Sequence, residues 1–256
     1  MSHSLRTLVR DLRLRRGRER RGLTLVEGIR LVEEALAAGV LIRHVLASPA
    51  LEATARGRAL KAAAERAGHR VERLSERDFA GLATTEHSQG VLSVVELRRW
   101  RLEEIRPAPR APALVLDGVQ DPGNVGTLLR TAFGLGASGV LALPGTAELG
   151  NPKTLRATMG ACFRLPFVPL DEAELRAWAR ERSVRILLTA AGADPPLRGS
   201  DPPAPLALVV GNEGAGIRAS LDEWADGRIG IPLRQGAESL NVAVAAGILL
   251  YQVTRE

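Results

Sequence analysis

The spacing of apolar and polar positions in the first 96 residues predicts alternating helices and strands. Helical periodicity runs through residues 5–16, 29–38 and 51–67, and Gly39 and Gly68 end the last two of these segments. Short apolar runs predict strands at 23–26, 41–47, 70–74 and 90–96. Because helices and strands alternate, we expect a small α/β unit with helices packed on a sheet.

A second alternating series begins at residue 113. Strands are predicted at 113–116, 139–143, 184–188 and 206–210, and helices at 124–135, 153–160, 171–182 and 242–253. The runs at 184–188 and 206–210 are apolar without interruption, which is typical of parallel strands covered on both faces. The predicted fold class is therefore α/β, with a parallel sheet in the second half.

Residues 98–112 interrupt both series. They combine charged side chains with three prolines, a composition that favours an exposed, extended linker. We accordingly expect a domain over residues 1–97, a linker over 98–112 and a second domain over 113–256.

Composition excludes several classes of protein. With 45% hydrophobic and 25% charged residues the chain is typical of soluble globular proteins, and no apolar run approaches the ~20 residues of a membrane span. The N-terminus carries charge without an apolar core after it, so no secretory signal is expected. The single cysteine, Cys162, allows neither an internal disulfide nor a cysteine-based metal cage. We expect no metal site and a cytoplasmic location.

The formal net charge of +6 is concentrated in residues 6–21, termed the N-terminal arm. The arm carries eight arginines and two acidic residues, whereas the rest of the chain is balanced. Guanidinium groups suit bidentate phosphate contacts, so an RNA or DNA backbone is the expected partner, with a solvated helix face as the alternative. The arginines predicted to bind RNA are Arg10, Arg13, Arg15, Arg16, Arg18, Arg20 and Arg21.

Residues 134–139 match the dinucleotide-binding fingerprint G-x-G-x-x-G, but in the wrong context. That fingerprint follows a strand and opens a helix. In this chain a predicted helix precedes the glycines and a predicted strand follows them. We interpret them as a helix end and a turn, which sets nucleotide-linked redox chemistry aside.

Three polar stretches lie at the ends of apolar runs in the second half, at residues 121–130, 211–216 and 231–242. An arginine in the otherwise apolar helix of the first stretch is expected to need an anionic partner or a bound phosphate, with a simple surface arginine as the alternative. A carboxylate in the second follows a buried strand, at the edge where α/β proteins bind ligands. The candidate site residues are Asn124, Arg130, Glu213, Ser239 and Asn241.

Some of these residues also have a purely structural interpretation. Asn124 suits an N-cap of the helix around it, and either Ser239 or Asn241 suits an N-cap of the last helix. The four histidines, at positions 3, 44, 69 and 87, all lie in the first half. A histidine-based catalytic triad beside the three stretches is therefore excluded.

The three stretches resemble the signature motifs of the SpoU (TrmH-type) RNA 2′-O-ribose methyltransferases of the SPOUT superfamily. The resemblance spans residues 113–253 and includes Asn151-Pro-Lys and Leu165-Pro166. Residues 4–96, with Val26-Glu-Gly28 and Gln89-Gly90, are similar to the ribosomal-protein-like RNA substrate-binding domain often fused in front. One departure is His87-Ser88, since a proline is more usual before the Gln-Gly pair.

The resemblance implies a trefoil-knotted α/β domain that binds S-adenosylmethionine in its knot and acts on structured RNA as a homodimer. By position, the cofactor contacts are expected at Ala190, Gly211, Ile231, Leu233 and Leu240. The five candidate site residues correspond to the family's catalytic and substrate-orienting set.

The implied function is S-adenosylmethionine-dependent methylation of a ribose 2′-hydroxyl in large-subunit ribosomal RNA. Alternatives are a transfer-RNA methyltransferase, an antibiotic-resistance ribosomal-RNA methyltransferase and a non-catalytic RNA-binding assembly protein. A ribose hydroxyl is a weak nucleophile, so catalysis needs in-line placement and help with its proton. We expect Arg130 to hold a phosphate and stabilise alkoxide charge, with Asn124 and Glu213 fixing its plane. Ser239 and Asn241 would position the loop, cofactor and ribose.

Overall fold

The computed structural model describes residues 3–190, 204–236 and 238–255. The chain divides into two compact units, the first formed by Met1–Arg98 with Glu148–Phe163 and the second by Arg99–Ala147 with Arg164–Glu256. Segment 148–163 thus belongs with the first unit, although it lies within the span expected for the second domain. The domain limits drawn from the sequence stay a prediction.

The helices and strands follow one another through both units. In the first unit they are α1 His3–Leu12, α2 Arg15–Arg21, β1 Thr24–Glu27, α3 Ile29–Ala37, β2 Leu41–Ala47, α4 Pro49–Glu52, α5 Ala55–Arg66, β3 Val71–Arg73, α6 Glu76–Ala80 and β4 Val91–Glu96. They continue as β5 Ala113–Leu116, α7 Pro122–Gly134, β6 Gly139–Ala142, α8 Pro152–Thr158, β7 Phe167–Pro169, α9 Glu172–Glu181, β8 Arg185–Thr189, β9 Leu206–Val210, α10 Ala219–Asp222, β10 Gly227–Ile229 and α11 Val242–Arg255.

The first unit is built on a four-stranded sheet with the order β1-β4-β2-β3. β4 runs antiparallel to β1 and β2, and β2 runs parallel to β3. Helix α8 packs beside β1, and the Thr24 hydroxyl donates a 2.6 Å hydrogen bond to the Gly150 carbonyl. These long-range contacts explain why segment 148–163 joins this unit.

The helix predicted at 5–16 is divided into α1 and α2. The chain bends between them, and the bend brings Gly17 close to the Asp11 backbone. A Cβ at Gly17 would lie 2.0 Å from the Asp11 carbonyl oxygen, so only glycine fits there. The chain turns at residues 13–14, and Leu14 is 65% exposed. The apolar stripe of α1 still reaches the core through Leu5 and Val9.

The second unit contains a six-stranded parallel sheet with the order β10-β8-β9-β5-β6-β7. β5 lies inside the sheet and is buried along its whole length, as its apolar sequence predicts. Trp178 of α9 is 1% exposed and covers one face. The predicted α/β class with a parallel sheet is confirmed. The sequence analysis missed β7, β10 and α10, which at three to four residues are too short to show a periodicity.

The segment at 98–112 is less exposed than its composition predicts. Ile105 is fully buried in the core of the second unit, and Trp100 and Leu102 pack against that core. A Cβ at Gly139 would lie 2.7 Å from the Ile105 side chain, so the glycine makes room for it. Burial of its apolar side chains therefore holds this segment against the second unit, in spite of its prolines and charges.

The interpretation of residues 134–139 is confirmed. Helix α7 ends at Gly134, Gly136 takes the left-handed conformation with φ of 79°, and β6 begins at Gly139. No helix in the described part of the chain is long and apolar enough to cross a membrane.

Candidate functional site

The carboxyl ends of three neighbouring parallel strands, β10, β8 and β9, meet at one edge of the second unit's sheet. The segments that follow β8, β9 and β10 line a cleft of about 390 Å³, together with the start of α11. Parallel α/β sheets bind ligands at this edge, and the volume lies in the usual range for small-molecule sites of about 300–1,000 Å³. The cleft is therefore a candidate cofactor site.

All five residues expected to contact the cofactor line this cleft. Ala190 follows β8, Gly211 follows β9, Ile231 and Leu233 follow β10, and Leu240 precedes α11. They are separated by up to 50 positions in the sequence, and the topology of the sheet brings them together. Leu240 is 38% exposed, so part of this apolar wall is open to a ligand.

The loop after β9 is closed by its own hydrogen bonds. The Asn212 and Gly216 backbones exchange hydrogen bonds of 2.9 and 3.0 Å. The Asn212 side-chain oxygen accepts from the N–H groups of Gly214 and Ala215 at 2.9 and 2.8 Å. A Cβ at Gly211 would lie 2.4 Å from the Gly216 carbonyl carbon, so the tight closure requires glycine at 211. The loop holds Glu213 in a fixed position beside the cleft.

A series of hydrogen bonds joins one residue from each of the three polar stretches. The Asn124 side-chain nitrogen donates to the Glu213 carboxylate at 2.9 Å. The Asn241 side-chain nitrogen donates in turn to the Asn124 side-chain oxygen at 3.2 Å. We term these three residues the amide–carboxylate network. The structure thus brings together three of the five candidate site residues.

The structure contradicts the interpretation of Asn124 as a helix cap and confirms that of Asn241. Asp121 caps α7, since its carboxylate accepts from the Asn124 backbone N–H at 2.9 Å. The Asn124 side chain is therefore free to reach Glu213. At the other end of the network, the Asn241 oxygen accepts from the Ala243 N–H at 2.9 Å while its nitrogen holds Asn124. Asn241 both caps α11 and takes part in the network.

Glu213 is held as a carboxylate. Loss of hydration alone would raise its pKa, but hydrogen bonds from the Asn124 side chain and the backbone N–H groups of Gln120 and Asp121 outweigh that effect. The pKa of Glu213 consequently lies below its ordinary value of 4.5. At neutral pH this group accepts hydrogen bonds and is a poor proton acceptor.

Ser239 and Arg130 lie outside the network. Ser239 is exposed and lines the same cleft as Glu213. Arg130 is exposed on α7, about 9 Å along the helix from Asn124 and about 120° around it. Within the described residues Arg130 has no hydrogen bond or ion pair, so the expected contact with Asn124 and Glu213 is not formed within one chain.

An ion pair that the sequence analysis missed anchors the far end of the Glu213 loop. Asp117 is 3% exposed and accepts from both the backbone N–H and the Nε of Arg218, each at 2.7 Å. The Arg218 guanidinium also donates to the Pro144 carbonyl at 3.1 Å. Asp117 directly follows the buried run at 113–116, and that position was a signal for a functional or structural carboxylate.

Arg18 of the N-terminal arm has a structural role rather than the predicted RNA contact. It is 7% exposed, forms an ion pair with Glu148, and donates to the carbonyls of Leu12 and Arg13 at 2.9 and 2.8 Å. A guanidinium with these partners is not free to contact phosphate. The charge pattern of the arm gave no sign of this burial, because Glu148 is 130 positions away.

Three other arginines of the arm are exposed but paired with carboxylates. Arg20 and Arg21 both pair with Asp11, at 2.8 and 2.6 Å, and their hydrogen bonds hold the pKa of Asp11 below its ordinary value. Arg15 pairs with Glu19 at 2.7 Å. Arg10 and Arg16 are exposed and form no ion pair with any residue that the structure describes.

Comparisons with known proteins agree with this geometry. Residues 111–251 match the SpoU rRNA Methylase family, and residues 7–93 match the MRM3-like substrate binding domain. The 23S rRNA (guanosine(2553)-2'-O)-methyltransferase RlmP of Bacillus subtilis is 34% identical to this chain over 244 residues, which are 95% of this chain and 93% of that protein.

Two solved structures are similar over almost the whole chain. The AdoMet-bound rRNA methyltransferase of Sinorhizobium meliloti has a TM-score of 0.85 and 30% identity, and the match covers 99% of this chain and 95% of that one. The SpoU methyltransferase AviRb of Streptomyces viridochromogenes, in complex with AdoMet, has a TM-score of 0.85 and 26% identity, with 100% and 98% covered. The predicted resemblance is confirmed, and this chain belongs to the SpoU rRNA Methylase family.

Proposed function

We propose that this protein transfers a methyl group from S-adenosylmethionine to the 2′-hydroxyl of a guanosine in large-subunit ribosomal RNA. The observation that carries the proposal is the amide–carboxylate network of Asn124, Glu213 and Asn241 beside the cleft. The names of the relative and of the two similar structures support the substrate and the cofactor.

The residues around the cleft fit S-adenosylmethionine. Ile231, Leu233 and Leu240 offer apolar contacts for an adenine ring, and the Gly211 loop offers backbone donors and acceptors close to the surface. Glu213 lines the same cleft, so its negative charge favours a positively charged sulfonium. When bound, S-adenosylmethionine supplies a methyl group on an excellent leaving group, so the chain need only prepare the acceptor.

The amide–carboxylate network prepares the acceptor by position rather than by taking its proton. Its three side chains are tied to α7, to the Glu213 loop and to the start of α11, and those of Glu213 and Asn241 also accept from backbone N–H groups. Fixed dipoles of this kind orient a hydroxyl without reorganising during reaction. Glu213, with its lowered pKa, orients the ribose through hydrogen bonds.

Arg130 stabilises charge that develops on the ribose oxygen as the 2′-hydroxyl proton passes to solvent water, and it holds the adjacent phosphate. No histidine lies in the second half of the chain, and a guanidinium keeps its proton in ordinary surroundings. Arg130 is exposed and has no carboxylate partner among the described residues, so its charge is open to an RNA phosphate. Ser239, on the cleft wall, helps to position the loop and the ribose.

The protein acts as a homodimer in this proposal. An open, apolar groove of about 900 Å³ runs between α7 and α11 in the second unit. Val244, Ile248 and Tyr251 of α11 are 52%, 38% and 45% exposed, an unusual density of large apolar side chains for a free surface. A second copy covers this face.

Substituting Ile248 by Glu should then yield a monomer in sedimentation analysis, whereas an unchanged sedimentation coefficient would contradict the dimer.

RNA is the partner of the first unit, which matches a substrate binding domain. Within the N-terminal arm the phosphate contacts fall to Arg10, Arg13 and Arg16, whose charges are not neutralised by acids. Such contacts make binding weaken steeply with salt. Because ribosomal RNA is the substrate, the site of action is the cytoplasm.

The trefoil knot and the domain limits belong to the same proposal. The knot would lie where the segments at 189–190, 211–217, 229–233 and 239–249 converge on the cleft. The proposed domains are 1–97 and 113–256, joined by the segment 98–112, which packs in part against the core of the second unit. Limited proteolysis tests those limits.

The proposed function is tested by methylating purified RNAs with isotopically labelled S-adenosylmethionine. We expect label in an unmodified large-subunit ribosomal RNA transcript, and mass spectrometry of the digest should place it on the ribose of one guanosine. Transfer RNA serves as the control and should stay unlabelled. Label on transfer RNA alone, or on a base, would overturn the substrate assignment, and RNA binding without label would favour an assembly protein.

A further inference from the structure

A second cleft, of about 380 Å³, lies entirely within the first unit. We term it the basic cleft; its lining consists of Arg13, Ala83, Thr84, Asn151, Pro152, Lys153 and Arg156. These residues come from three separate stretches of sequence, and three of them are cationic. No carboxylate stands among this lining. The cleft therefore combines concave shape with positive charge.

Arg156 is held in the cleft through a threonine. The Glu27 carboxylate, 4% exposed at the end of β1, accepts from the Thr84 N–H at 2.6 Å, from the Thr84 hydroxyl, and from the Thr85 hydroxyl at 2.7 Å. Because the Thr84 hydroxyl donates to Glu27, its oxygen is free to accept from the Arg156 guanidinium at 2.7 Å. Glu27 thus fixes the threonine, and the threonine fixes the guanidinium.

Arg13 is held by backbone carbonyls. Its guanidinium donates to the Ala83 carbonyl at 2.5 Å and to the Gly81 carbonyl at 3.3 Å. Both acceptors are neutral, as is the Thr84 hydroxyl that holds Arg156. Neither guanidinium forms a direct ion pair with a carboxylate among the described residues. Glu27 contacts Arg156 only through the Thr84 hydroxyl, so both forks keep donors for an anion.

The cleft arginines differ from four arginines of the N-terminal arm, and unlike the exposed Arg10 and Arg16 they are also held in place by hydrogen bonds. Arg15, Arg18, Arg20 and Arg21 each pair directly with a carboxylate. A cation that already has an acidic partner gains less from a phosphate, because the first ion pair must be weakened. Arg13 and Arg156 avoid that penalty, and their fixed geometry reduces the entropy lost on binding.

We propose that the basic cleft binds a backbone phosphate of the substrate RNA, an inference that rests on the proposed function of the chain. Arg13 and Arg156 supply forked guanidinium donors, which match phosphate oxygens. Lys153 adds a third cation to the lining. The side chains of Thr84 and Asn151 add neutral polar groups at the same surface.

The test measures binding of the full chain to an unmodified large-subunit ribosomal RNA transcript over a series of salt concentrations. Arg13→Gln and Arg156→Gln should each weaken binding about tenfold. Each should also lower the slope of log affinity against log salt by about 1. Arg56→Gln is the matched control, since Arg56 is an exposed arginine of the same unit that is neutralised by Glu33. The control should change the affinity less than about twofold.

Folding is checked by the thermal melting temperature of each variant. If Arg156→Gln melts early, Arg13→Gln alone decides the test, with the same expected loss of affinity. Variants that bind no more weakly than Arg56→Gln would overturn the basic cleft as a phosphate site. Methylation of the transcript by the unmutated protein tests the proposed function separately, so failure of one claim is distinguishable from failure of the other.

Discussion

The amide–carboxylate network of the second unit and the basic cleft of the first unit are both polar. They differ in whether their polar side chains are bonded mainly to one another or to neutral groups around them. In the network, the side chains of Asn241, Asn124 and Glu213 satisfy one another and the backbone. In the basic cleft, Arg13 and Arg156 are oriented by neutral oxygens and keep their net charge. The first arrangement is suited to positioning a reacting group, and the second to attracting an anion.

The largest expected change is a loss of kcat when the Glu213 carboxylate of the network is replaced. Glu213→Gln removes the charge that accepts from Asn124 and from two backbone N–H groups. We expect kcat to fall by about 10²–10³, as when one oriented polar group is removed from an active site. Affinity for RNA should stay within about twofold of the unmutated protein, because the basic cleft is untouched. Single-turnover methylation and RNA binding measured on the same preparation check both halves of the prediction.

The next effect concerns Arg130, whose exposed guanidinium lies outside the network. Arg130→Lys keeps the charge but loses the planar fork, so we expect a fall in kcat of about tenfold to a hundredfold. Binding of S-adenosylmethionine should not change, since Arg130 is not among the residues lining the cofactor cleft. A lysine variant with the unmutated rate at every pH would rule out the role given to the guanidinium.

A smaller loss, of RNA affinity, is expected when the hydroxyl that orients Arg156 in the basic cleft is removed. Thr84→Val keeps the shape of the side chain but removes the hydroxyl between Glu27 and Arg156. Loss of one such hydrogen bond should weaken RNA binding about threefold to tenfold while the single-turnover rate at saturating RNA stays constant. Thr7→Val, which removes an exposed hydroxyl in α1, serves as the control. A slower methyl transfer at saturating RNA would show that the cleft does more than bind.

The smallest change in the amide–carboxylate network is expected when the pH is lowered. Because the pKa of Glu213 is lowered, the network should stay intact as pH falls from about 7 to about 5. The stability contributed by the ionised group is present above its ordinary value of 4.5 and is lost as pH falls through the lowered value. Carbon-13 NMR titration of the Glu213 carboxyl checks this, and Asn124→Ala should move the midpoint upward.

The sequence predicted much of the candidate site because the site lies at strand ends. Residues that follow apolar runs in a parallel sheet reach the same edge, so the Gly211 and Glu213 loop could be placed at a site before any coordinates. Ile231 came from the family resemblance instead, because β10 was not predicted. What could not be predicted is which polar residue caps α7. Asp121 takes that role, and its choice frees Asn124 for the network.

Of the cationic residues in the basic cleft only Arg13 was predicted to bind RNA, because the contacts that assemble the cleft are long-range. Glu27 and Thr84 are 57 positions apart, and Thr84 and Arg156 are 72 apart. Local patterns of charge instead drew attention to the N-terminal arm, where Arg18 is buried against Glu148. Charge density along a sequence does not reveal which cations are neutralised in the fold.

The central claim is that the amide–carboxylate network places a ribose hydroxyl for methylation. Its most direct test is the single-turnover rate of 2′-O-methylation at the mapped guanosine, with RNA and S-adenosylmethionine both saturating. Our account predicts that Glu213→Gln slows this step by about 10² or more while the same guanosine is still bound. An unchanged rate in a variant that binds RNA and cofactor normally would contradict it.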